Sequence, residues 1–269
     1  MNAPQYATRD ERTATAAAKY HEVMTYPGPG PTKPYYDAGV VGFVFGEMWT
    51  RPGLTRRDRR WVTLACVGAA GAPIPVQTHT YASLASDDCT LQELQEFNLH
   101  FATQMGWPKA QVVDQYIGEA WTKIAADRGV DPGDAPFPRW SEPTPDDVRR
   151  GRGQQAYAEI MCAEPPPATT VFGGLAYLDY LYGEVWTRPT LTRRERRVIS
   201  ICCAAAVDQD LDAHLYAALK SGDLDFDELQ EVVLHYAVYL GWLLGAKLDR
   251  ALVAARDRVR DEAAAAAHT

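Results

Sequence analysis

His79 and His214, His100 and His235, Arg51 and Arg188, Trp49 and Trp186, and Glu47 and Glu184 are the residues of this 269-residue sequence whose types could do chemistry, and they come in pairs. An imidazole moves protons near neutral pH. An Arg fixed between a Trp and a Pro can hold a carboxylate through two parallel hydrogen bonds. A glutamate kept from water is a proton donor, because desolvation raises its pKa. Together they describe proton transfer on a small anionic organic substrate. Each pair also has a structural alternative. His79 and His214 would cap a helix or bond a carbonyl, and His100 and His235 lie at the edge of an apolar helix face, where a satisfied core His is the commoner outcome. Arg51 and Arg188 would stack on Trp49 and Trp186 as clamps, and Glu47 and Glu184 would neutralise nearby arginines. The histidines lack the close His or Cys companions of a zinc site, so neither metal nor cofactor is expected.

The pairing comes from a duplication. Gly46-Glu-Met-Trp-Thr-Arg-Pro-Gly-Leu-Thr-Arg-Arg-Asp-Arg-Arg60 returns as Gly183-Glu-Val-Trp-Thr-Arg-Pro-Thr-Leu-Thr-Arg-Arg-Glu-Arg-Arg197, an offset of 137 positions. From His79 and His214 onward the offset is 135, so two residues are missing between Cys203 and His214. A period of this size is that of a small domain, not of a solenoid repeat. Two units are expected, 1–135 and 136–269, divided in the proline-rich stretch from Asp131 to Pro145.

The net charge of -8 and pI near 5.3 argue against nucleic acid as partner. No apolar run is long enough to span a bilayer and no signal-peptide core opens the chain, so a cytoplasmic protein without a membrane partner is expected. The five cysteines are odd in number, and Cys66, Cys202 and Cys203 sit in apolar segments as small buried hydrophobes.

Apolar residues recur at helical spacing almost throughout, which predicts an all-α fold. Thr55-x-x-Asp58, Thr192-x-x-Glu195, Thr90-x-x-Glu93 and Asp225-x-x-Glu228 are N-cap signals. The first two open buried helices running through Val67 and Val207. The others open helices that stop at Gly106 and Gly241. Shorter helices start near His79 and His214, with Pro73 and Pro75 just ahead of the first, and final helices cover roughly 108–128 and 244–262, followed by a frayed tail over 263–267. Phe43, Phe45, Tyr180 and Tyr182 have core-like spacing. The Arg56–Arg60 and Arg193–Arg197 runs place positive charge at helix N-termini, against the helix dipole, so anionic partners must compensate. The candidates are Glu47, Glu184 and the Glu93–Glu96 and Glu228–Glu231 helices, or a bound anion.

The order Trp-Thr-Arg-Pro-x-Leu-Thr-x-Arg-x-Arg, apolar helix, His, Glu-Leu-x-Glu, His, Gly resembles the carboxymuconolactone decarboxylase family of the alkylhydroperoxidase D-like superfamily. The resemblance implies two tandem helical units related by a pseudo-two-fold axis, assembling as a homotrimer that forms a pseudo-hexamer. Peroxidase relatives carry Cys-x-x-Cys four residues ahead of the His. Here those places hold Ala72 and Pro75, or Val207 and Asp210, which argues against a thiol peroxidase. The resemblance therefore implies a cofactor-independent lyase that decarboxylates a small carboxylated lactone or similar activated acid. His79 or His214, with His100 and His235, would handle the proton. Arg51 or Arg188 would anchor the carboxylate beside Trp49, Trp186, Glu47 and Glu184. Many relatives carry Glu where Arg60 and Arg197 stand, which keeps open an isomerase, dehydratase or cyclase in the same pocket, or a non-catalytic assembly or ligand-binding protein. Which copy is active also stays open.

Overall fold

The computed structural model describes residues 6–133, 144–209 and 211–267, and every regular element among them is a helix. In chain order these are α1 (Arg9–Met24), π1 (Tyr35–Met48), α2 (Arg56–Ala70), α3 (Pro73–Ala85), α4 (Leu91–Met105), α5 (Trp107–Arg128), α6 (Asp146–Met161), π2 (Phe172–Val185), α7 (Arg193–Val207), α8 (Leu211–Ser221), α9 (Phe226–Leu240) and α10 (Trp242–Ala266). The all-α expectation holds.

The four N-cap signals each form a complete capping box. Thr55, Thr192, Thr90 and Asp225 accept from the N3 backbone, and Asp58, Glu195, Glu93 and Glu228 reach back to the cap. Each cap is worth about 1 kcal/mol. Gly106 and Gly241 adopt positive φ and end α4 and α9, and α5 and α10 start on the next residue.

Two expectations need correction, and one feature is new. His79 lies midway along α3, because Pro73 and Pro75 fall inside its first turn, where a missing N–H costs no hydrogen bond. The tail over 263–267 continues α10 to Ala266. π1 and π2 are π-helical, a geometry that hydrophobic periodicity does not reveal. The expected boundary at 135/136 and most of the proline-rich stretch lie outside the described residues.

α2 packs on α7 at the centre, α9 lies against α2, and α4 lies against α7. One continuous apolar core therefore draws on both copies, with Trp61, Phe97 and Phe101 meeting Val198, Cys202, Leu229 and Tyr236. α1 covers π1 and α6 covers π2. The α6–π2 approach is so close that a Cβ at Gly153 would collide with the carbonyl oxygen of Leu178. The crossing of α9 over α2 and of α4 over α7 sets each Arg-rich helix against a His-bearing helix from the other copy.

Candidate active site

The arginine runs are neutralised by a network that crosses between the copies. Arg51 and Arg59 both bind Glu231, at 2.6 and 3.1 Å, while Arg188 and Arg196 both bind Glu96, at 2.8 and 2.9 Å. Arg57 reaches Glu93 and Glu195, and Arg194 reaches Glu228 and Asp58. Arg60 and Arg197, fully buried, bind Asp88 and Asp223 and donate to the Val23 and Ile160 carbonyls. Burial alone would raise the Glu231 carboxyl, yet hydrogen bonds and charge from Arg51 and Arg59 outweigh it and hold it below its usual value.

Arg51 and Arg188 are thus occupied by glutamates from the opposite copy. The guanidiniums over the indoles are instead those of Arg60 on Trp49, at 5.7 Å, and Arg197 on Trp186, at 5.3 Å. Glu47 and Glu184 do not serve the arginine runs. They pair with Arg12 and Arg149, which α1 and α6 bring alongside π1 and π2.

His100 and His235, candidates for the proton chemistry or for the core, lie within the packed interior between the helices. Both are fully buried, and each ring meets a hydroxyl from the other copy: His100 Nε2 lies 2.9 Å from Ser200 Oγ, and His235 Nε2 lies 2.7 Å from Thr63 Oγ1. Burial, helped by nearby arginines, holds both well below the ordinary imidazole value.

His79 differs, because it lines a cavity of about 460 Å³ enclosed by α1, π1, α2, α3 and α9. Tyr239 of α9 shares that wall, with its Oη 3.4 Å from His79 Nε2. The Trp49 indole N–H donates to the same Oη at 3.3 Å, and the His235 ring stacks on Tyr239 at 5.2 Å. Burial, then the charge of Arg60, lowers His79 to about 3. Burial pushes Tyr239 up to about 12, against hydrogen bonds from Thr63 and Trp49 and the charge of Arg60. At neutral pH the cavity therefore presents an uncharged imidazole beside an intact phenol: an acceptor and a donor within one hydrogen bond. Phe45 is buried at the cavity wall, so a residue read as core also shapes the pocket.

The matching place in the second copy lacks this pair. His214 is likewise lowered to about 3, by burial and Arg197. Its ring lies parallel to Trp186 at 6.5 Å. The position matching Tyr239 is Gln104. Trp186 Nε1 and His214 Nδ1 are both buried without a hydrogen-bond partner. Tyr239 is the site residue that sequence reasoning missed. Its signal was present, as a Tyr-to-Gln mismatch inside two helices that otherwise align through Glu-Leu-Gln-Glu, Leu-His and Gly-Trp.

Among the described residues no group of three or more His, Cys, Asp or Glu could hold a metal ion, and no helix is long and apolar enough to cross a membrane. All five cysteines are unpaired thiols, and burial raises those of Cys66, Cys89 and Cys203.

Residues 174–256 match the model of the carboxymuconolactone decarboxylase family. That stretch includes Arg188, Arg197, His214, Glu231, His235 and Tyr239. Over 64 residues, 23% of the chain, the sequence is 38% identical to 4-carboxymuconolactone decarboxylase of Acinetobacter baylyi. The alignment covers 47% of that protein, so the chain spans about half the length of the curated relative it matches.

Proposed function

We propose that this chain is a cofactor-independent enzyme of the decarboxylase-like kind, whose reaction centre is the cavity shared by His79 and Tyr239. The observation that carries the reading is the 3.4 Å approach of a phenol to a neutral imidazole on the wall of a ligand-sized cavity. The likeness of residues 174–256 to the decarboxylase family supports loss of carbon dioxide from a small carboxylated lactone or comparable acid. In that reaction the electron pair left on carbon delocalises into a carbonyl whose oxygen accepts a hydrogen bond from Tyr239. The phenol then protonates the carbon, and the charge of Arg60 behind it eases formation of the phenolate. His79, uncharged, is the hydrogen-bond partner that positions the Tyr239 hydroxyl, and a proton from water restores the phenol after each turnover. His100 and His235 hold the surrounding structure, His235 by stacking on Tyr239.

A second reaction at the same centre is isomerisation, dehydration or ring closure without loss of carbon. It is favoured by a specific observation: none of the residues lining the cavity carries a formal charge, and Arg51 and Arg188 are held by Glu231 and Glu96.

Mass analysis of products separates the two. Incubation with 4-carboxymuconolactone would give a product lighter by carbon dioxide if decarboxylation occurs. Incubation with 3-cyclohexenone would give conjugated 2-cyclohexenone of unchanged mass if proton transfer alone occurs. Conversion of neither above the buffer rate would overturn the enzymatic reading and leave a ligand-binding or assembly protein.

The duplicated sequence supports two fused units, 1–135 and 136–269, and the likeness to the decarboxylase family is the ground for proposing that three chains complete a pseudo-hexamer, in the cytoplasm. Light scattering at three chain masses is the expected result, and a monomer at micromolar concentration would contradict it.

A further inference from the structure

The cavity beside His79 has aromatic walls and one polar end. Tyr20, Tyr26, Tyr36 and Phe45 contribute rings, and Val40, Val44 and Val67 fill the spaces between them. The Tyr20 and Tyr26 rings meet edge to face at 5.8 Å. The His79–Tyr239 pair is a polar locus on the α3 and α9 side of the wall, with Tyr35, Tyr36 and Thr78 on the lining as well.

No Lys or Arg lines the cavity, although the Lys33 ammonium lies over the Tyr36 ring, 4.9 Å from its centroid. Arg60, whose charge acts on His79 and Tyr239, is wholly buried, bound to Asp88, Ser86 and the Val23 carbonyl and covered by the face of Trp49. Its Nη1 has no hydrogen-bond partner but is sealed from solvent. A carboxylate entering beside His79 and Tyr239 would lose its hydration without gaining a counter-charge from any lining residue. A flat uncharged ring would bury both faces on aromatic and branched side chains and present one oxygen to a phenol.

We propose that this cavity binds an uncharged, planar cyclic ligand whose single carbonyl or hydroxyl oxygen hydrogen-bonds Tyr239 Oη. The inference rests on the reading of the His79 cavity as the reaction centre, and it favours the reaction that loses no carbon. Gln104, at the matching place in the second copy, provides no phenol, so the selectivity belongs to the first-copy site.

Calorimetric titration of the full-length protein at neutral pH with 2-naphthol and 2-naphthoate, equal in ring shape and opposite in charge state, tests it. The expected result is binding of 2-naphthol, with 2-naphthoate weaker by about 100-fold. Val44→Trp, which plugs the cavity from π1, should abolish 2-naphthol binding. Tyr239→Phe, which keeps the ring, should weaken it about tenfold, while circular dichroism verifies that both variants fold. Naphthoate binding as tight as naphthol, and lost in Val44→Trp, overturns the charge selectivity and leaves the cavity as the site for an anion. No binding of either, or binding that survives Val44→Trp, overturns the cavity as the ligand site altogether. Unchanged affinity in Tyr239→Phe overturns the hydrogen bond.

Discussion

The two copies carry the same arginine frame and differ in what the frame surrounds. In the first, His79 faces Tyr239 across a cavity, and Trp49 donates to the same phenol. In the second, His214 lies flat against Trp186, the indole nitrogen is unpartnered, and Gln104 replaces the tyrosine. The buried pairs Arg51–Glu231 and Arg188–Glu96 are common to both. On the proposed function, the common parts would report folding and the differing part chemistry.

The largest expected effect tests what is common. Glu231→Gln strands the buried Arg59, and Glu96→Gln strands Arg196, so each should lower unfolding free energy in urea by about 3–5 kcal/mol. A large cost at one site with none at the other would break the equivalence of the frames. The difference between copies is sharpened next. His79→Gln should reduce turnover by at least about 100-fold, while His214→Gln changes it less than about twofold. Tyr239→Phe should cost at least about 100-fold in kcat through the lost proton donor, and Gln104→Ala should cost nothing measurable.

The smallest effect is a pH dependence with a defined sign. With His79 held at about 3 and Tyr239 at about 12, turnover should be flat from pH 6 to 9, with no inflection at the usual imidazole value. Stability should behave differently. The unfolded chain protonates its histidines below about pH 6.5 while folded His79 and His214 resist until about 3. More protons bound in the unfolded state means stability that is full above about 6.5 and falls as pH drops toward 3. An inflection in turnover near 6.5 would show that His79 is not held neutral.

Much of the fold was legible because it is local. Thr55, Thr192, Thr90 and Asp225 mark helix starts within four residues, and Gly106 and Gly241 mark ends by the positive φ that glycine accepts. The need for anions beside Arg56–Arg60 was equally readable. Which anions was not, since Glu231 lies 180 positions from Arg51 and meets it only because α9 crosses α2. The same crossing hides the site: His79 and Tyr239 belong to different copies, so no spacing within either brings them together. The π-helices escaped because fourteen mostly apolar residues carry no period that distinguishes π from α geometry. Arg60 rather than Arg51 on Trp49 also follows from the turn between π1 and α2, which sequence adjacency does not show.

The central claim is that one cavity, beside His79, transfers protons. Its most direct test is the rate at which wild type, His79→Gln and His214→Gln convert 3-cyclohexenone to 2-cyclohexenone, followed by the absorbance of the conjugated product. The account predicts conversion by wild type and His214→Gln at similar rates and at least a 100-fold loss in His79→Gln. Equal rates in the two variants, or wild type converting neither 3-cyclohexenone nor 4-carboxymuconolactone above buffer, would contradict it.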